Sequence, residues 1–439
     1  MHSQATGREA GQERCRSIDR GALAGAFRSV RGTTTELTAP LSAEDMVVQP
    51  CTHASPAKWH LGHTAWFFDQ FVLRDGGGAS VASDRRFDVI FNSYYNSIGR
   101  QHTRSHRGLL TRPALSEVRG YRERVDAGVL ELIEHADDAR LAALAPTIEI
   151  GLHHEQQHQE LLLADIKLTL WHNPLLPAYR EDLPSAQPRS ADNPNDREAW
   201  VGFAGGVVEI GHAGEGFAYD NETPRHRRFL EPYELAAAPV TNADVLAFID
   251  DDGYARPELW LDEGWRCAQR EGWAAPLYWE REGEAWMHFT LAGLRMLEPS
   301  DIASHLSFFE ADAIARWSGA RLPTEVEWEH ALGGLPACGN LLSSGRLLPG
   351  GVGEPWASGL RNPFGDAWCW TRSAHEPYPG YAPPDGALGE YNGKFMCGQF
   401  VLRGGSCCTP ASHIRGTYRN FFHPHHRWQC SGLRLARSV

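Results

Sequence analysis

The stretch Gly151-Leu152-His153-His154-Glu155-Gln156-Gln157-His158-Gln159-Glu160-Leu161-Leu162-Leu163 decides the fold of the first half of this chain. No proline or glycine interrupts residues 152–171. Apolar residues recur in and around the stretch at multiples of helical spacing, at Ile148, Leu152, Leu162, Ile166 and Leu170. The pattern predicts one long helix that carries several histidines.

Two of these histidines, His154 and His158, lie four positions apart. Residues with this spacing share a helix face, about 6 Å from Cβ to Cβ, so both imidazoles can bind one metal ion. His153 and Gln157 form the next such pair round the helix. From the spacing alone, a solvated polar face remains the alternative to a metal site.

The composition of the 439-residue chain allows two globular domains, with 42% hydrophobic and 22% charged residues. A net charge of −13 without a run of Lys or Arg predicts that nucleic acid is not a partner. No apolar run approaches the roughly 20 residues that span a bilayer, and the first residues lack an apolar signal core. We therefore expect no membrane partner and a cytoplasmic location.

The nine cysteines show no Cys-x-x-Cys pair, and only Cys407 and Cys408 are close in sequence. An odd, scattered set indicates reduced thiols rather than a disulfide framework or a zinc site.

The first half reads as helical. We predict a weak amphipathic helix over 17–37, a second over 56–73 that Ser55-Pro56 opens, and a third over 115–136. With the histidine helix these make a four-helix bundle, a fold whose facing helices commonly build metal sites. The aromatic-rich, poorly periodic connection 87–113 is too long for a simple turn and indicates a functional loop.

Proline-rich sequence then separates the predicted bundle, residues 17–175, from a second domain, residues 198–439. The segment 176–197 has the composition of a linker. Beyond it, short segments such as 200–203 and 206–211 look like strands, and only 242–250 and 309–318 stand out as helices. The second domain is therefore predicted to be irregular α+β.

Two histidines on one helix make an incomplete site, so a third ligand is required. The candidates in the helical half are His53, His60, His63, His102 and His106. We favour His63, because the adjacent Gly62 lets a backbone or a metal approach closely. Three neutral imidazoles leave open positions, as a catalytic centre that binds substrate or O₂ requires.

The same residues match a second pattern, the zinc-hydrolase signature His-Glu-x-x-His at 154–158, in which the glutamate activates water. That reading requires a third ligand downstream. The chain instead continues into the proline-rich segment, so a zinc hydrolase remains a remote alternative.

Longer motifs carry a resemblance that covers nearly the whole chain. Ser55-Pro56-x-x-Trp59-x-Leu61-Gly62-His63, followed by residues 154–158, resembles a DinB-type bundle. The second half resembles the formylglycine-generating-enzyme (sulfatase-modifying) domain, which has a C-type-lectin-like fold. Its marks are Asp220-Asn221-Glu222-x-Pro224-x-His226, Pro239-Val240-Thr241-Asn242, Arg321-Leu322-Pro323-Thr324-Glu325-x-Glu327-Trp328-Glu329, Asn362-Pro363-Phe364-Gly365, Leu402-Arg403-Gly404-Gly405-Ser406 and Gly432-Leu433-Arg434-Leu435-Ala436.

The fusion of these two domains resembles the EgtB-type hercynine-dependent sulfoxide synthases of ergothioneine biosynthesis and their selenoneine synthase relatives. The resemblance implies a mononuclear non-haem Fe(II) enzyme that uses O₂ to join a thiol sulfur to imidazole C2 of hercynine, a trimethylated histidine. The family's iron ligands fall on His63, His154 and His158.

The family's substrate-binding and catalytic positions are also present. The Gln that holds the hercynine imidazole falls on Gln157, and the Asn and aromatic residue that meet the trimethylammonium fall on Asn420 and Phe421. An aromatic face suits a quaternary ammonium, which cannot donate hydrogen bonds. A tyrosine pair falls on Tyr94 and Tyr95, of which we expect Tyr95 to give a proton or hydrogen atom at the iron site.

The second substrate is less clearly implied. Family members that take γ-glutamylcysteine use an Arg-x-x-Arg pair and an acid, where this chain has Gln101-x-x-Arg104 and Phe422. A cysteine-type thiol, with Arg104 or Arg107 on its carboxylate, remains compatible with the sequence. The alternative is a selenosugar, as in the selenoneine synthases, because the changed loop 99–104 is compatible with an altered donor pocket.

Two further alternatives are weaker. A binding module without turnover has no need of an open metal site. Formylglycine-generating activity relies on a spaced cysteine pair, whereas Cys407 and Cys408 are contiguous and Ser412 and His413 follow.

Overall fold

The structure is a computed structural model that describes residues 18–184, 199–214 and 216–439. A helical part precedes a part rich in short strands, as the sequence predicts. Most of the predicted linker, 176–197, lies outside the described residues, so its character stays a prediction. The last helix of the first part ends at Trp171, and the first strand of the second part begins at Trp200.

Five helices form the first part: α1 (Arg20–Thr38), α2 (Ala57–Phe68), α3 (Phe87–Ile90), α4 (Leu115–His135) and α5 (Asp138–Trp171). α2 continues into a π-helical stretch, Asp69–Arg74. The predicted helices over 17–37, 56–73 and 115–136 are confirmed to within a few residues. α1, α2, α4 and α5 pack against one another as a four-helix bundle.

The histidine helix is longer than the pattern predicts. α5 begins at Asp138, where the Asp137 side chain accepts a hydrogen bond from the Arg140 amide, and it runs through Pro146. A proline inside a helix removes one hydrogen bond. Leu141 and Leu144 in this early part are buried, so packing outweighs the unfavourable proline.

Every residue of α2 is buried, including its two histidines. Its surroundings are crowded: a Cβ on Gly62 would lie 2.1 Å from the Phe91 ring, and one on Gly151 of α5 would lie 2.5 Å from Phe68. Glycine at these two points lets α2 approach both the 87–113 loop and α5. This approach places His63 opposite the histidines of α5.

The described residues of the second part form four α-helices, α6 (Asn242–Asp250), α7 (Asp262–Glu271), α8 (Phe308–Trp317) and α9 (Glu325–Leu332). The predicted helices over 242–250 and 309–318 are confirmed as α6 and α8. α7 and α9 were not predicted. The strands are short and are named here in chain order: β1 (Trp200–Phe203), β2 (Gly206–Ile210), β3 (His226–Leu230), β4 (Tyr233–Ala236), β5 (Trp279–Glu282), β6 (Ala285–Thr290), β7 (Gly293–Met296), β8 (Trp368–Ala374), β9 (Phe400–Arg403), β10 (Asn420–Phe422), β11 (Ser431–Gly432) and β12 (Ala436–Ser438).

These strands form four small sheets, ordered β1-β4-β12, β10-β9-β8-β11, β2-β3 and β5-β6-β7. The four-stranded sheet positions the site. Its edge strand β10 pairs antiparallel with β9, with Asn420 opposite Leu402, and β11 pairs parallel with β8. β10 thereby carries Asn420, Phe421 and Phe422 to the cavity described below.

α5 joins the two parts of the fold. The Glu160 carboxylate accepts hydrogen bonds from Trp368 Nε1 at 2.7 Å, from Thr409 Oγ1 at 2.8 Å and from the Ser406 hydroxyl. Asp165, further along α5, accepts a hydrogen bond from Trp428 Nε1 at 3.0 Å. Most of the buried apolar residues of both parts belong to one continuous core.

In the described part of the chain, no helix is both long and apolar enough to cross a bilayer. All eight cysteines there are free thiols. This agrees with the predicted reduced state.

Candidate metal centre and substrate cavity

The two parts of the fold meet at a cluster of three histidines. His63 comes from α2, and His154 and His158 come from α5; one nitrogen of each lies within 4.8 Å of the others. The Nε2 atoms of His63 and His154 are 3.1 Å apart. The structure thus brings together the three residues predicted as ligands.

Hydrogen bonding fixes how two of these rings present their nitrogens. His63 Nδ1 lies 2.6 Å from the Phe91 carbonyl oxygen, so it carries the proton and donates, and Nε2 keeps its lone pair. The Trp59 ring stacks on a face of the His63 imidazole, with ring centroids 4.5 Å apart. An outer partner of this kind sets the tautomer that a metal-binding histidine needs.

His158 is oriented by a chain of two further residues. Its Nδ1 lies 2.7 Å from His60 Nδ1, and His60 Nε2 lies 3.0 Å from Asp165 Oδ2. The carboxylate accepts the His60 Nε2 proton, so His60 Nδ1 accepts from His158 and leaves His158 Nε2 free. His60, the less favoured third-ligand candidate, therefore supports a ligand and lies outside the triad.

The donor set fits a divalent transition metal. Burial lowers the pKa of His154 to about 3, and it also lowers the pKa values of His63 and His158 well below the ordinary range. All three imidazoles are therefore neutral at pH 7, as metal ligands must be. His154 Nδ1 is buried without a hydrogen-bond partner among the described residues.

Glu155, the general base required by the zinc-hydrolase alternative, points away from this cluster. Its carboxylate is fully buried in the bundle and pairs with Arg31 at 2.7 Å and with Arg122. Burial raises the pKa of Glu155, but the two guanidinium groups outweigh that effect and lower it to about 2. A carboxylate committed to two arginines in the core cannot activate water at the triad.

A cavity of about 280 Å³ opens beside the triad and is lined from both parts of the fold. His154, His158 and Gln157 contribute from α5. Asn420, Phe421 and Phe422 contribute from β10, so the structure brings these predicted substrate-binding residues to the metal cluster. The cavity then continues along α5 to Lys167, His305 and Cys430.

Gln157 is held by two tyrosines of the second part. Its Nε2 donates to the Tyr418 hydroxyl at 2.7 Å, and its Oε1 accepts from the Tyr391 hydroxyl. The Tyr391 ring lies 5.6 Å from that of His154. The amide is therefore fixed beside the metal cluster, with both of its polar atoms already engaged.

The predicted tyrosine pair occupies two different environments. Tyr94 lines the cavity, with its ring 5.1 Å from Phe395. Tyr95 is fully buried behind it, against Trp66 and Phe71. Burial raises the pKa of both phenols, so both are protonated at neutral pH.

The two predicted arginines also differ. Arg104 lines the cavity and has no carboxylate in salt-bridge contact among the described residues. Arg107 is buried, packs 3.4 Å from the Trp59 ring centroid and donates to Ser55 and Ser93. Arg107 therefore supports Trp59 and, through it, His63.

Several residues of this site were not predicted. Tyr391 and Tyr418 lie in loops where no periodicity marks them, and only the fold brings them to Gln157. Asp165 carried a usable signal, because it lies seven residues after His158 on the same helix face. Lys167 is a buried cation in the cavity wall, with Nζ 2.8 Å from His305 Nε2.

Two family models match the chain, each over one part of the fold. The DinB superfamily matches residues 26–162, and the sulfatase-modifying factor enzyme 1-like domain matches residues 185–341 and 343–439. These matches agree with the predicted order of a DinB-like bundle and a formylglycine-generating-enzyme domain.

Two curated relatives match across both parts. The hercynine oxygenase of Mycobacterium tuberculosis is 32% identical over 412 residues, which cover 88% of this chain and 91% of the relative. That of Mycolicibacterium smegmatis is 31% identical over 423 residues, with the same coverage. Among solved structures, PvdO from Pseudomonas aeruginosa is 17% identical with a TM-score of 0.41, and it covers 59% of this chain and 100% of its own.

Proposed function

This chain belongs to the hercynine oxygenase (EgtB-type) family, and from that premise we propose that it is an O₂-dependent, non-haem Fe(II) enzyme acting on hercynine. Its reaction would form a carbon–chalcogen bond at imidazole C2. The observation that carries this proposal is the neutral histidine triad, of which His154 and His158 line one cavity together with Gln157 and β10.

His63, His154 and His158 would hold the iron. Iron(II) with open positions supplies O₂ activation and one-electron chemistry, which the side chains of this site cannot provide. The Phe91 carbonyl and the His60–Asp165 pair keep the free nitrogens of His63 and His158 directed to one point. This preorganisation supports metal binding before substrate arrives.

Hercynine would bind with its imidazole at Gln157 and its trimethylammonium at β10. The amide of Gln157 can exchange one tyrosine contact for a ring nitrogen of the substrate. At the other end, Phe421 and Phe395 form an aromatic wall with ring centroids 6.0 Å apart, which Tyr94 extends. Aromatic faces attract a quaternary cation that offers no hydrogen-bond donor.

A phenol beside the triad would supply the proton or hydrogen atom. We propose Tyr391 for this role in place of the buried Tyr95, because the Tyr391 ring lies 5.6 Å from that of His154 and its hydroxyl donates to Gln157. Burial raises its pKa well above the ordinary value, so the proton is present at neutral pH. Tyr94 lines the same cavity and stands as the second candidate, with Tyr95 packed behind it.

We favour a cysteine-type thiol as the second substrate. Arg104 and Lys167 both line the cavity, and neither has a carboxylate in salt-bridge contact in the described ranges. Cations left without acidic partners suit the carboxylate of an amino-acid thiol. A different observation supports the selenosugar alternative. Phe422 and Trp428 line the cavity as adjacent aromatic rings, and the C–H faces of a sugar can pack on them.

Product analysis tests the proposal directly. The metal-free chain is first loaded with Fe(II) in the absence of oxygen. O₂ and hercynine are then added in three parallel reactions, which contain cysteine, γ-glutamylcysteine or a selenosugar. The products are identified by mass. We expect a sulfoxide adduct with cysteine and no adduct from His158→Ala. A preferred selenium adduct would select the alternative, and no adduct from any donor would overturn the hercynine assignment.

A further inference from the structure

A second group of histidines stands apart from the proposed iron ligands. His53 lies in the loop before α2, and His425 and His426 lie in the loop after β10. One ligand nitrogen of each is within 4.8 Å of the others. The ring centroid of His426 lies 4.5 Å from that of His53 and 4.6 Å from that of His425. Three imidazoles from the two parts of the fold thus converge on one point.

The group lies at the solvent edge of the substrate cavity. His53 is exposed, His425 is half-buried and His426 is 7% exposed. His53 and His426 line the cavity, whereas His425 does not. An ion held there would be reachable from solvent and would connect the bundle to the second part of the fold.

His426 provides an independent indication of a ligand. Both of its ring nitrogens are buried, and neither has a hydrogen-bond partner among the residues that the structure describes. Its surroundings are aromatic, with Trp428 at 4.5 Å and Phe422 at 6.1 Å between ring centroids. A buried imidazole with two unmatched nitrogens is costly, and a bound metal ion would remove part of that cost.

The nearest other histidine does not belong to the group. His423 Nδ1 donates to the Gly398 carbonyl at 3.1 Å, and its ring lies 5.2 Å from that of His426. It therefore orients the loop at one side of the group. The ligand set is three neutral imidazoles without thiolate or carboxylate, which suits a borderline divalent ion and disfavours magnesium or calcium.

We propose that His53, His425 and His426 form a second metal site, which takes Zn²⁺ or a similar imidazole-preferring divalent ion and fastens the loop before α2 to the loop after β10. Water would complete a tetrahedral set. The site is structural and stands independently of the hercynine assignment. Its ligands come from both parts of the fold, so occupancy restrains the edge of the cavity.

Metal counting on the full chain tests this site. The chain is stripped with a chelator and titrated with Zn²⁺ in competition with a chromophoric chelator. His53→Gln/His425→Gln is expected to bind one ion fewer per chain than wild type, or to bind that ion at least about tenfold more weakly. Both substitutions avoid the buried His426, so the fold should persist, and circular dichroism checks that it does.

The matched control is His135→Gln/His172→Gln, which removes two exposed histidines elsewhere and should bind as wild type does. A His53/His425 variant with unchanged stoichiometry and affinity would overturn the proposal. So would an equal loss in the control, because binding would then be distributed over surface histidines. Iron loading and product formation are measured separately and do not enter the criterion.

Discussion

Two neighbours on α5, His154 and Glu155, face different surroundings. His154 faces the cavity, whereas Glu155 is fully buried in the bundle, where it is the only carboxylate paired with Arg122 among the described residues. The His-Glu-x-x-His sequence pattern, which combines both residues into one hydrolytic motif, is therefore misleading here. The helix separates them by about 100°, so their environments are independent.

Glu155→Gln tests this separation. The substitution leaves Arg122 buried without a carboxylate, so we expect the free energy of unfolding to fall by about 3–5 kcal/mol. Iron binding should persist, because the triad is intact. Denaturant titration and metal content measure the two effects, with the exposed Glu131→Gln on α4 as a control that should change stability by less than about 0.5 kcal/mol. Unchanged stability would contradict the burial argument.

The pH dependence of this pair has a definite sign. The pKa of Glu155 is about 2 in the folded chain against an ordinary 4.5. Its stabilising contribution is therefore present above pH 4.5 and is lost as pH falls from 4.5 towards 2. Wild type should lose stability over this window more steeply than Glu155→Gln.

Lys167 provides a second residue-scale prediction, which rests on the proposed thiol substrate. Burial lowers its pKa to about 8, so the ammonium is present at pH 7 and is lost as pH rises through about 8. Lys167→Met should raise KM for a carboxylate-bearing thiol by about tenfold, the loss expected for one charge-assisted hydrogen bond. KM for hercynine should change little.

Steady-state kinetics across pH 6.5–9.5 check this role. In wild type, KM for the thiol should rise above about pH 8, whereas Lys167→Met should lack that rise. Lys167→Arg keeps its charge throughout and is the matched variant. A wild-type profile that is flat through pH 8 would remove Lys167 from the donor site.

At the scale of secondary-structure elements, the helices of the bundle were predictable because each carries a periodic apolar face over many residues. α7 and α9 are about as long as the predicted α6 and α8, so length does not explain why they were missed. α7 begins after Leu261 without a side-chain cap, and its start therefore carries no sequence signal. α9 did carry a usable signal, the capping box of Thr324 and Glu327. Strands of two to seven residues have too few alternating positions to be read from one sequence, so the sheets emerge only from the fold.

The approach of α2 to the 87–113 loop is the element contact on which the metal cluster depends. Gly62→Ala would push the Phe91 ring away, and the Phe91 carbonyl would move with it from His63 Nδ1. We expect iron affinity to fall by at least about tenfold. Stability should fall by about 1–3 kcal/mol.

Metal competition and thermal unfolding measure these changes. Gly25→Ala on α1 is the matched control, because a Cβ there meets nothing within 4 Å, and it should stabilise the helix by up to about 1 kcal/mol. Wild-type iron affinity in Gly62→Ala would show that the Phe91 contact does not orient His63.

The triad and Gln157 were predictable from sequence because they lie on helices or in motifs, where spacing reports position. The rest of the site could not be predicted in the same way. Tyr391 and Tyr418 reach Gln157 from loops more than 230 residues away in sequence, a proximity that only the packing of α5 against the second part creates. Arg107 could be found in the sequence, but its packing beneath Trp59 could not.

For the whole molecule, α5 is the element that both parts share. Gln157 requires Tyr391 and Tyr418, and the proposed hercynine site requires β10, so neither half contains a complete cavity. We therefore predict that the two halves do not function separately. Catalytic turnover by residues 1–180 alone would contradict this.

We predict a single unfolding transition for the intact chain, because one apolar core runs through both parts and the Glu160 carboxylate of α5 accepts hydrogen bonds from the second part. Glu160→Ala would leave the buried donors of Trp368, Ser406 and Thr409 without their acceptor, at a cost of about 1–3 kcal/mol for each unsatisfied group. Calorimetry should then resolve two transitions. The exposed Glu131→Ala should keep one transition. A single transition in Glu160→Ala would mean that the contacts left in place, the shared apolar core and the hydrogen bonds of Asp165 and Gln157 to the second part, are enough to couple the two parts.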